Sequence, residues 1–247
     1  MLFRSALLAA CGQASVPVGR VPRVAILSTG NELRRPGETL APGQIYESNS
    51  VMLHALSGPV GVTASVLQPV EDSLDAVSET LRRGLEEHDV IITSGGVSVG
   101  DYDYVKAAAS RLGGRLDLWR VAIKPGKPFA LATFGEKILF GLPGNPVSAF
   151  VTFLLLVRPT LLRMQGAAGI SLPSHPGILR QPLQNPGDRR HFVRVHAGPD
   201  GEVRLAGPQA SHRLACLAEA NGLLDMPPQA EFEAGRKVSV LRWDGVY

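Results

Sequence analysis

The stretch Val90-Ile91-Ile92-Thr93-Ser94-Gly95-Gly96-Val97-Ser98-Val99-Gly100-Asp101-Tyr102-Asp103 changes character at its centre. Its first four residues are apolar or β-branched, and such a short run bounded by glycine is how a strand buried on both faces reads. The loop that follows, Ser94 to Gly100, holds three glycines and two hydroxyls and leads into a helix expected from about Tyr104 to Leu112. Upstream the pattern repeats. Arg23 to Thr29 is a buried strand stopped by Gly30, Ser50 to Leu56 a short helix, and Val62 to Val70 a second strand. Leu74, Val77, Leu81 and Leu85 then fall at helical spacing behind a cap at Asp72 or Ser73. Downstream, strands near 116–123, 129–134 and 138–140 precede a buried helix from Pro146 to Met164. Strands alternating with helices predict an α/β fold, a three-layer α/β/α domain on a mostly parallel sheet, over 23–169.

Past Gly166 the chain changes again. Proline-rich turns separate short stretches of period-two patterning. Phe192–Ala197 and Glu202–Leu205 flank Gly198-Pro199-Asp200-Gly201, a hairpin signal, and Lys237–Trp243 reads as a last strand. Residues 173–247 are expected to form a small all-β, barrel-like domain, and residues 1–22 a helix and linker.

Composition narrows the function. Glycine and proline make up 46 of 247 residues, 19% against a usual value of about 12%, so turns and close backbone approaches are frequent in an otherwise ordinary globular chain. A net charge of +3 and only 14 aromatic residues exclude a base-stacking nucleic-acid platform. Two cysteines, Cys11 and Cys216, are too few for a disulfide framework or a Cys-rich metal site and fit a cytoplasmic protein. Leu8-Ala9-Ala10-Cys11 resembles a lipoprotein cleavage box, but the apolar stretch before it is about half of a normal signal segment, so a helix end is the expectation. The longest apolar run, Ala149 to Leu162, is interrupted by Arg158 and Pro159 and is read as core, not as a membrane span.

Ligands of open α/β sheets sit outside the carboxyl ends of the strands, so the loops there carry the candidate chemistry. Thr29 and Gly30 end the first strand, with the Glu32 carboxylate beside them. Ser94, Gly95, Gly96, Ser98 and Gly100 suit a backbone nest for phosphate. Asp101 and Asp103 just beyond would repel bare phosphate; they either cap the next helix or hold a Mg²⁺ against it, and spacing alone leaves both open. Lys124-Pro125-Gly126-Lys127-Pro128 presents two ammonium groups on a stiff loop, suited to an oxyanion. Gly141-Leu142-Pro143-Gly144-Asn145-Pro146 runs into a helix with Pro146 at a first helical position. The six histidines lack metal-ligand spacing, and no P-loop or dinucleotide fingerprint is present.

In this order, Ser28-Thr29-Gly30-Asn31-Glu32-Leu33, Gln44-Ile45-Tyr46-Glu47-Ser48-Asn49, the Ser94–Gly100 loop with Asp103, Lys124–Pro128 and Gly141–Ser148 resemble the molybdopterin molybdenumtransferase family, whose eukaryotic relatives include the gephyrin E domain. The tail matches through Ser211-His212 and Ala220-Asn221-Gly222-Leu223, so the resemblance covers about residues 5–247. It implies insertion of molybdate into adenylated molybdopterin, with Mg²⁺-dependent release of AMP. It implies Glu32, Asp72, Asp103, Lys124 and Lys127 as the catalytic group. Thr29, Gly30, Asn49, Ser94, Gly95, Gly96, Ser98, Gly100, Pro143, Gly144, Asn145, Pro146, Ser148, Arg190, Arg194 and Ser211 follow as ligand contacts, and Asp101 and Asp103 as metal ligands. It also implies a homodimer and an upstream molybdopterin adenylyltransferase that supplies the substrate, with neither nucleic acid nor membrane as partner.

The resemblance departs from the family in front. Members carry two further domains before the strand at Arg23, of which only a last helix, near Ser5 to Gly12, is expected here. Two competing expectations follow: a non-catalytic molybdopterin-binding or scaffold fragment, and a related enzyme of the adenylyltransferase or competence-damage hydrolase type, which shares the α/β domain.

Overall fold

The computed structural model describes residues 2–97 and 104–244; Ser98, Gly100, Asp101 and Asp103 lie outside the described residues. After β1 (Val24–Ser28) come β2 (Ala64–Val66), β3 (Val90–Ser94) and β4 (Arg115–Trp119). β5 (Ile123–Lys124) leaves for a second sheet, and the hairpin of β6 (Ala130–Phe134) and β7 (Lys137–Leu142) returns to the first. The first sheet runs in the order β2-β1-β3-β7-β6-β4. β2, β1, β3 and β7 pair in parallel, and β6 and β4 add an antiparallel edge.

Every residue of β1 and β3 is buried, as two covered faces require. Alternation along β1 sorts the core into two layers. Val24 and Ile26 pack with Leu53 and Leu56 of α2 (Asn49–Ser57) and with Phe150 and Phe153. Ala25 and Leu27 pack with Val77 and Leu81 of α3 (Leu74–Glu87) and with Val105 and Ala108 of α4 (Tyr104–Arg111). The α/β/α layering is therefore written in the period of one strand. From β1 the chain crosses to β2 on one side, then returns to β3 on the other, so the strand order reverses between β1 and β3. That crevice is the switch point at which ligands of such sheets bind.

The helix expected from Pro146 forms as α5 (Pro146–Met164). It is long and apolar enough to cross a membrane by length and composition, yet Val147, Ala149, Phe150, Val151, Phe153, Leu154, Val157 and Leu161 lie in the core of the folded chain. Phe153–Val157 winds as a π-turn. Pro159 has no N–H to return to Leu155 and its ring crowds that carbonyl, and the wider turn accommodates both.

The second sheet comprises β8 (Ser174–Leu179), β9 (Arg190–Ala197), β10 (Glu202–Leu205), β11 (Gly222–Met226) and β12 (Lys237–Arg242). Its order β10-β8-β12-β11-β9 is closed by β9–β10 pairing into a five-stranded, barrel-like ring. The expected hairpin is present, with Gly198 N donating to Glu202 O at 2.8 Å. β5 adds to β9 in parallel, Ile123 opposite Arg190 and Lys124 opposite His191. Phe150 of α5 and Trp243 meet edge to face, 5.0 Å between centroids, and Phe192, Leu223 and Trp243 share one core cluster with α5.

Three local expectations are corrected, and the choice of cap for α3 is resolved. The strand expected over 116–123 breaks at Arg120 (φ 68°), whose N–H turns to Phe129 O, so that its ends serve two different sheets. The strand expected over 62–70 keeps only Ala64–Val66 as ladder, since Pro69 supplies no donor; Val70 rejoins by a single bridge to Thr29. Ser73, not Asp72, caps α3, accepting from Ala76 N at 3.2 Å. The β region also contains one short helix, α6 (Ala215–Glu219). Ahead of the sheet, α1 (Leu2–Ala10) forms as expected, and the linker behind it is tied down. Arg20 and the Arg23 backbone N–H donate to Asp89 at 2.8 and 2.7 Å. The Arg20 hydrogen bond, with those from Arg23, holds the Asp89 carboxyl well below the usual range.

At the junction of the two sheets His191 is buried, and its pKa falls from 6.5 to about 4, first through burial and then through the charges of Lys124, Arg194 and Arg189. A folded-state pKa below the unfolded one means that the unfolded chain binds the proton first. Stability is therefore intact above about 6.5 and is lost as pH falls toward about 4, by roughly 3 kcal/mol for this group. The stability advantage of the wild type over His191→Gln should shrink by that amount across this window in urea titrations. Parallel pH profiles for the two proteins would show that His191 is not buried as a neutral ring.

Candidate functional site

A cavity of about 610 Å³ opens at the switch point, within the range of small-molecule sites. It is bounded by the ends of β1, β3 and β7, by the start of α2 and by the loop into α5. Of the residues singled out by sequence, Thr29, Glu32, Asn49, Asp72, Ser94, Gly95, Gly96, Pro143, Gly144, Asn145 and Pro146 line it. Gly30, Lys124, Lys127, Ser148, Arg190, Arg194 and Ser211 do not.

The glycine loop is close-packed for a geometric reason. Gly95 and Gly96 have φ of +92° and +66°, and a Cβ on Gly95 would stand 2.5 Å from Thr29 O. Only glycine lets the β3 loop pass this near the β1 loop. Asn49 then ties the walls together: its Nδ2 donates to Ser94 Oγ at 2.8 Å and to Gly144 O at 2.7 Å. Below it Glu47, buried, accepts from Ser28 Oγ at 3.0 Å, from Ser50 N at 2.8 Å and from the Ser50 hydroxyl. The Glu47 carboxylate thereby satisfies a first-turn N–H of α2, where the Ser48 side chain makes no cap.

Glu32 and Asp72 form an acidic pair on one wall. Asp72 N–H donates to Asn31 Oδ1 at 3.1 Å, and its carboxyl is raised above the ordinary range, by burial first and by the Glu32 charge second. Asp72 Oδ1 and Asn49 Oδ1 are buried acceptors with no hydrogen-bond partner among the described residues. Paired hard oxygen donors with one left open suit Mg²⁺, which takes one or two carboxylates plus phosphate oxygens. Among the described residues no group of three His, Cys, Asp or Glu is assembled, so any such ion would take its further ligands from elsewhere.

The basic side is built across both sheets. Lys124 and Lys127 are exposed, while Pro125 and Gly126 between them are buried. A Cβ on Gly126 (φ +113°) would meet Thr152 Cγ2 at 2.6 Å, so the loop sits directly on α5. Pro128, next to Lys127, lines the cavity and brings the loop to its rim. Arg189 NH1 donates to Ile123 O at 3.0 Å, and Arg190 N to Ala122 O at 3.1 Å. The Arg190 side chain pairs with Asp225 at 3.3 Å. Ser148 is buried in the first turn of α5, and Ser211 places its carbonyl on Val147 N–H at 3.2 Å. Arg194, expected as an oxyanion contact, is wholly buried and donates to Pro208 O and Ala210 O.

Sequence reasoning missed Glu47 and Arg189. Glu47 stood inside a quoted motif, and its place one residue before the helix start was the available signal. Arg189 lies in none of the quoted motifs. His212, which stands in the tail motif, lines the cavity.

Comparison with known proteins agrees with this arrangement. Residues 25–163 match the family described as a probable molybdopterin binding domain, and residues 176–243 match the MoeA C-terminal region, domain IV. The chain is 40% identical over 245 residues to molybdopterin molybdenumtransferase 2 of Mycobacterium tuberculosis, covering 96% of this chain and 60% of that protein. It is 36% identical to the molybdopterin molybdenumtransferase of a Nostoc species, covering 96% and 56%. A solved molybdopterin biosynthesis MoeA protein from Pyrococcus horikoshii superposes with a TM-score of 0.83 at 30% identity, over 98% of this chain and 59% of that one. The chain thus spans about three fifths of the length of these relatives. With its switch-point cavity, motif loops and trailing β ring, the chain belongs to the molybdopterin-binding family, in the two-part arrangement of the molybdopterin molybdenumtransferases.

Proposed function

We propose that this chain carries the ligand-binding and catalytic face of a molybdopterin molybdenumtransferase, inserting molybdate into the dithiolene of adenylated molybdopterin with release of AMP. The observation that carries the reading is the cavity itself. Its walls carry the acidic pair Glu32 and Asp72, and Pro128 brings the two-lysine loop to its rim. Backbone around Gly95, Gly96 and Gly144, with the Asn49 amide, would hold the pterin or its phosphate. Glu32 and Asp72 would hold Mg²⁺, with Asp101 and Asp103 as further candidate ligands. When bound, that ion supplies charge neutralisation to the pyrophosphate.

The chain's own residues supply the rest. Lys124 and Lys127, exposed and on a backbone pinned between α5 and β9, offer positive charge where molybdate enters and where phosphate charge develops on departure. Arg190, opposite Ile123 next to Lys124, and Ser211, at the first turn of α5, would add to that side of the site. Asn49 orients the walls, so ligand meets preset donors. Family resemblance supports a cytoplasmic homodimer fed by an adenylyltransferase; the MoeA C-terminal match over 176–243 favours the transferase reading over an adenylyltransferase-like one.

The reading is tested by incubating the chain with adenylated molybdopterin, molybdate and Mg²⁺ and measuring AMP. Release dependent on both ions supports it; binding without release would leave a ligand-binding module only. Lys124→Ala and Lys127→Ala should each lower AMP release by about 10²–10³-fold, the scale of losing a charge-stabilising donor. Both lysines are exposed, so stability should stay within about 0.5 kcal/mol. Turnover unchanged in both variants would remove the lysine loop from the mechanism. Asp72→Asn should weaken the apparent Mg²⁺ affinity by at least about tenfold, read from AMP release against Mg²⁺ concentration. An unchanged Mg²⁺ curve would place the ion elsewhere.

A further inference from the structure

Arg194 is wholly sealed from solvent, on the face of β9 that it shares with Phe192 and opposite the Val193 and Val195 side chains of the ring core. Its NH2 donates to Pro208 O at 3.0 Å and to Ala210 O at 3.4 Å, whereas Nε and NH1 have no partner among the described residues. Burial lowers its pKa. A buried, half-satisfied arginine is a poor device for stability, since an apolar side chain of similar volume does as well or better. Its contacts indicate another use.

The segment it grips is held from a second direction. Gln209 clasps the backbone of the same residue, accepting from Arg194 N at 2.9 Å and donating to Arg194 O and Gly207 O at 3.1 Å each. Gly207 (φ +62°) is seated so closely on Cys216 that a Cβ there would stand 3.1 Å from its Sγ. Immediately beyond, Ser211 O accepts from Val147 N–H in the first turn of α5, and His212 lines the large cavity. The fixed segment is thus the only covalent link between the β9–β10 hairpin and the part of the cavity wall that His212 forms.

We propose that Arg194 is a positioning residue: it fixes residues 207–212 across the N-terminus of α5, sets His212 in the cavity wall, and does not itself touch the bound ligand. The binding half of this proposal rests on the cavity being the molybdopterin site.

The test compares wild type with Arg194→Met, Arg194→Lys and Gln209→Ala in the full chain. Amide hydrogen exchange over 207–212 and the NMR shifts of the His212 ring are read without ligand, and equilibrium dialysis is run with adenylated molybdopterin. Arg194→Met and Gln209→Ala should each speed exchange in the segment by roughly tenfold or more and move the His212 signals. Each should weaken binding by roughly five- to tenfold, and the double variant should be no worse than the weaker single, because both act through one segment. Arg194→Lys, which retains a donor for one carbonyl, should recover most of the exchange protection and binding. Weakened binding in Arg194→Met with exchange and His212 shifts unchanged would make Arg194 a direct contact and overturn the proposal. So would a loosened segment with unchanged binding. If Arg194→Met does not fold, Arg194→Lys and Gln209→Ala decide the same question. A wild type that binds no adenylated molybdopterin would overturn the functional reading, while exchange and His212 shifts would still decide whether Arg194 sets the segment.

Discussion

The Asn49 side-chain amide holds three loops at once. With Ser94 Oγ at 2.8 Å and Gly144 O at 2.7 Å, it fixes the start of α2 against the ends of β3 and β7. Parallel strands buried on both faces offer no side chain to a ligand along their length, so only their carboxyl ends remain for chemistry. At those ends backbone groups leave the ladder and must find partners elsewhere. Asn49 and Glu47 supply partners from one six-residue motif, and the cavity is what remains between the loops they pin. Were the amide lost, each loop would still have its strand behind it, but nothing would set the distance between them.

The parts of the fold legible in sequence are those where burial imposes a period. β1 and β3 stand out because two covered faces demand unbroken apolar runs, and α3 because one covered face demands helical spacing. The closed ring of β8–β12 announced itself through the Gly198–Gly201 turn and alternation in its strands. The two-residue strand β5 was not legible. A period needs several residues to show, and Arg120 at positive φ carries no sequence signature. That omission matters, since β5 is the thread that stitches the lysine loop to β9.

Within the site, residue type was a good guide to which loops gather and a poor guide to which way a side chain points. Glu32, Asn49, Ser94 and Gly144 converge on the cavity as their strand-end positions suggested. Arg194 is expected as an anion contact because the family resemblance implies one there. On a strand, however, successive side chains face opposite sides, and Arg194 falls on the face of β9 opposite the ring core, where the 207–212 segment covers it. Arg189, one register step from β5, instead turns its guanidinium to Ile123 O. Charge counted along the sequence cannot separate these two; the backbone segment that each guanidinium meets does.

Position also explains how opposite charges coexist in one small site without cancelling. Glu32 and Asp72 project from loops of the first sheet, and burial first and the Glu32 charge second raise the Asp72 carboxyl above the ordinary range. Lys124 and Lys127 ride on a loop pinned between α5 and β9, with Pro125 and Gly126 buried beneath them. A direct lysine–carboxylate pair would be the low-energy arrangement for an empty cleft, and it would leave little field for a charged ligand. By anchoring the two groups to different sheets, the fold keeps the acidic wall and the lysine loop at the cavity rim apart. The docking of the β ring on α5, through Phe150, Trp243 and the Ser211 carbonyl, is therefore part of the site's electrostatics as well as of its packing.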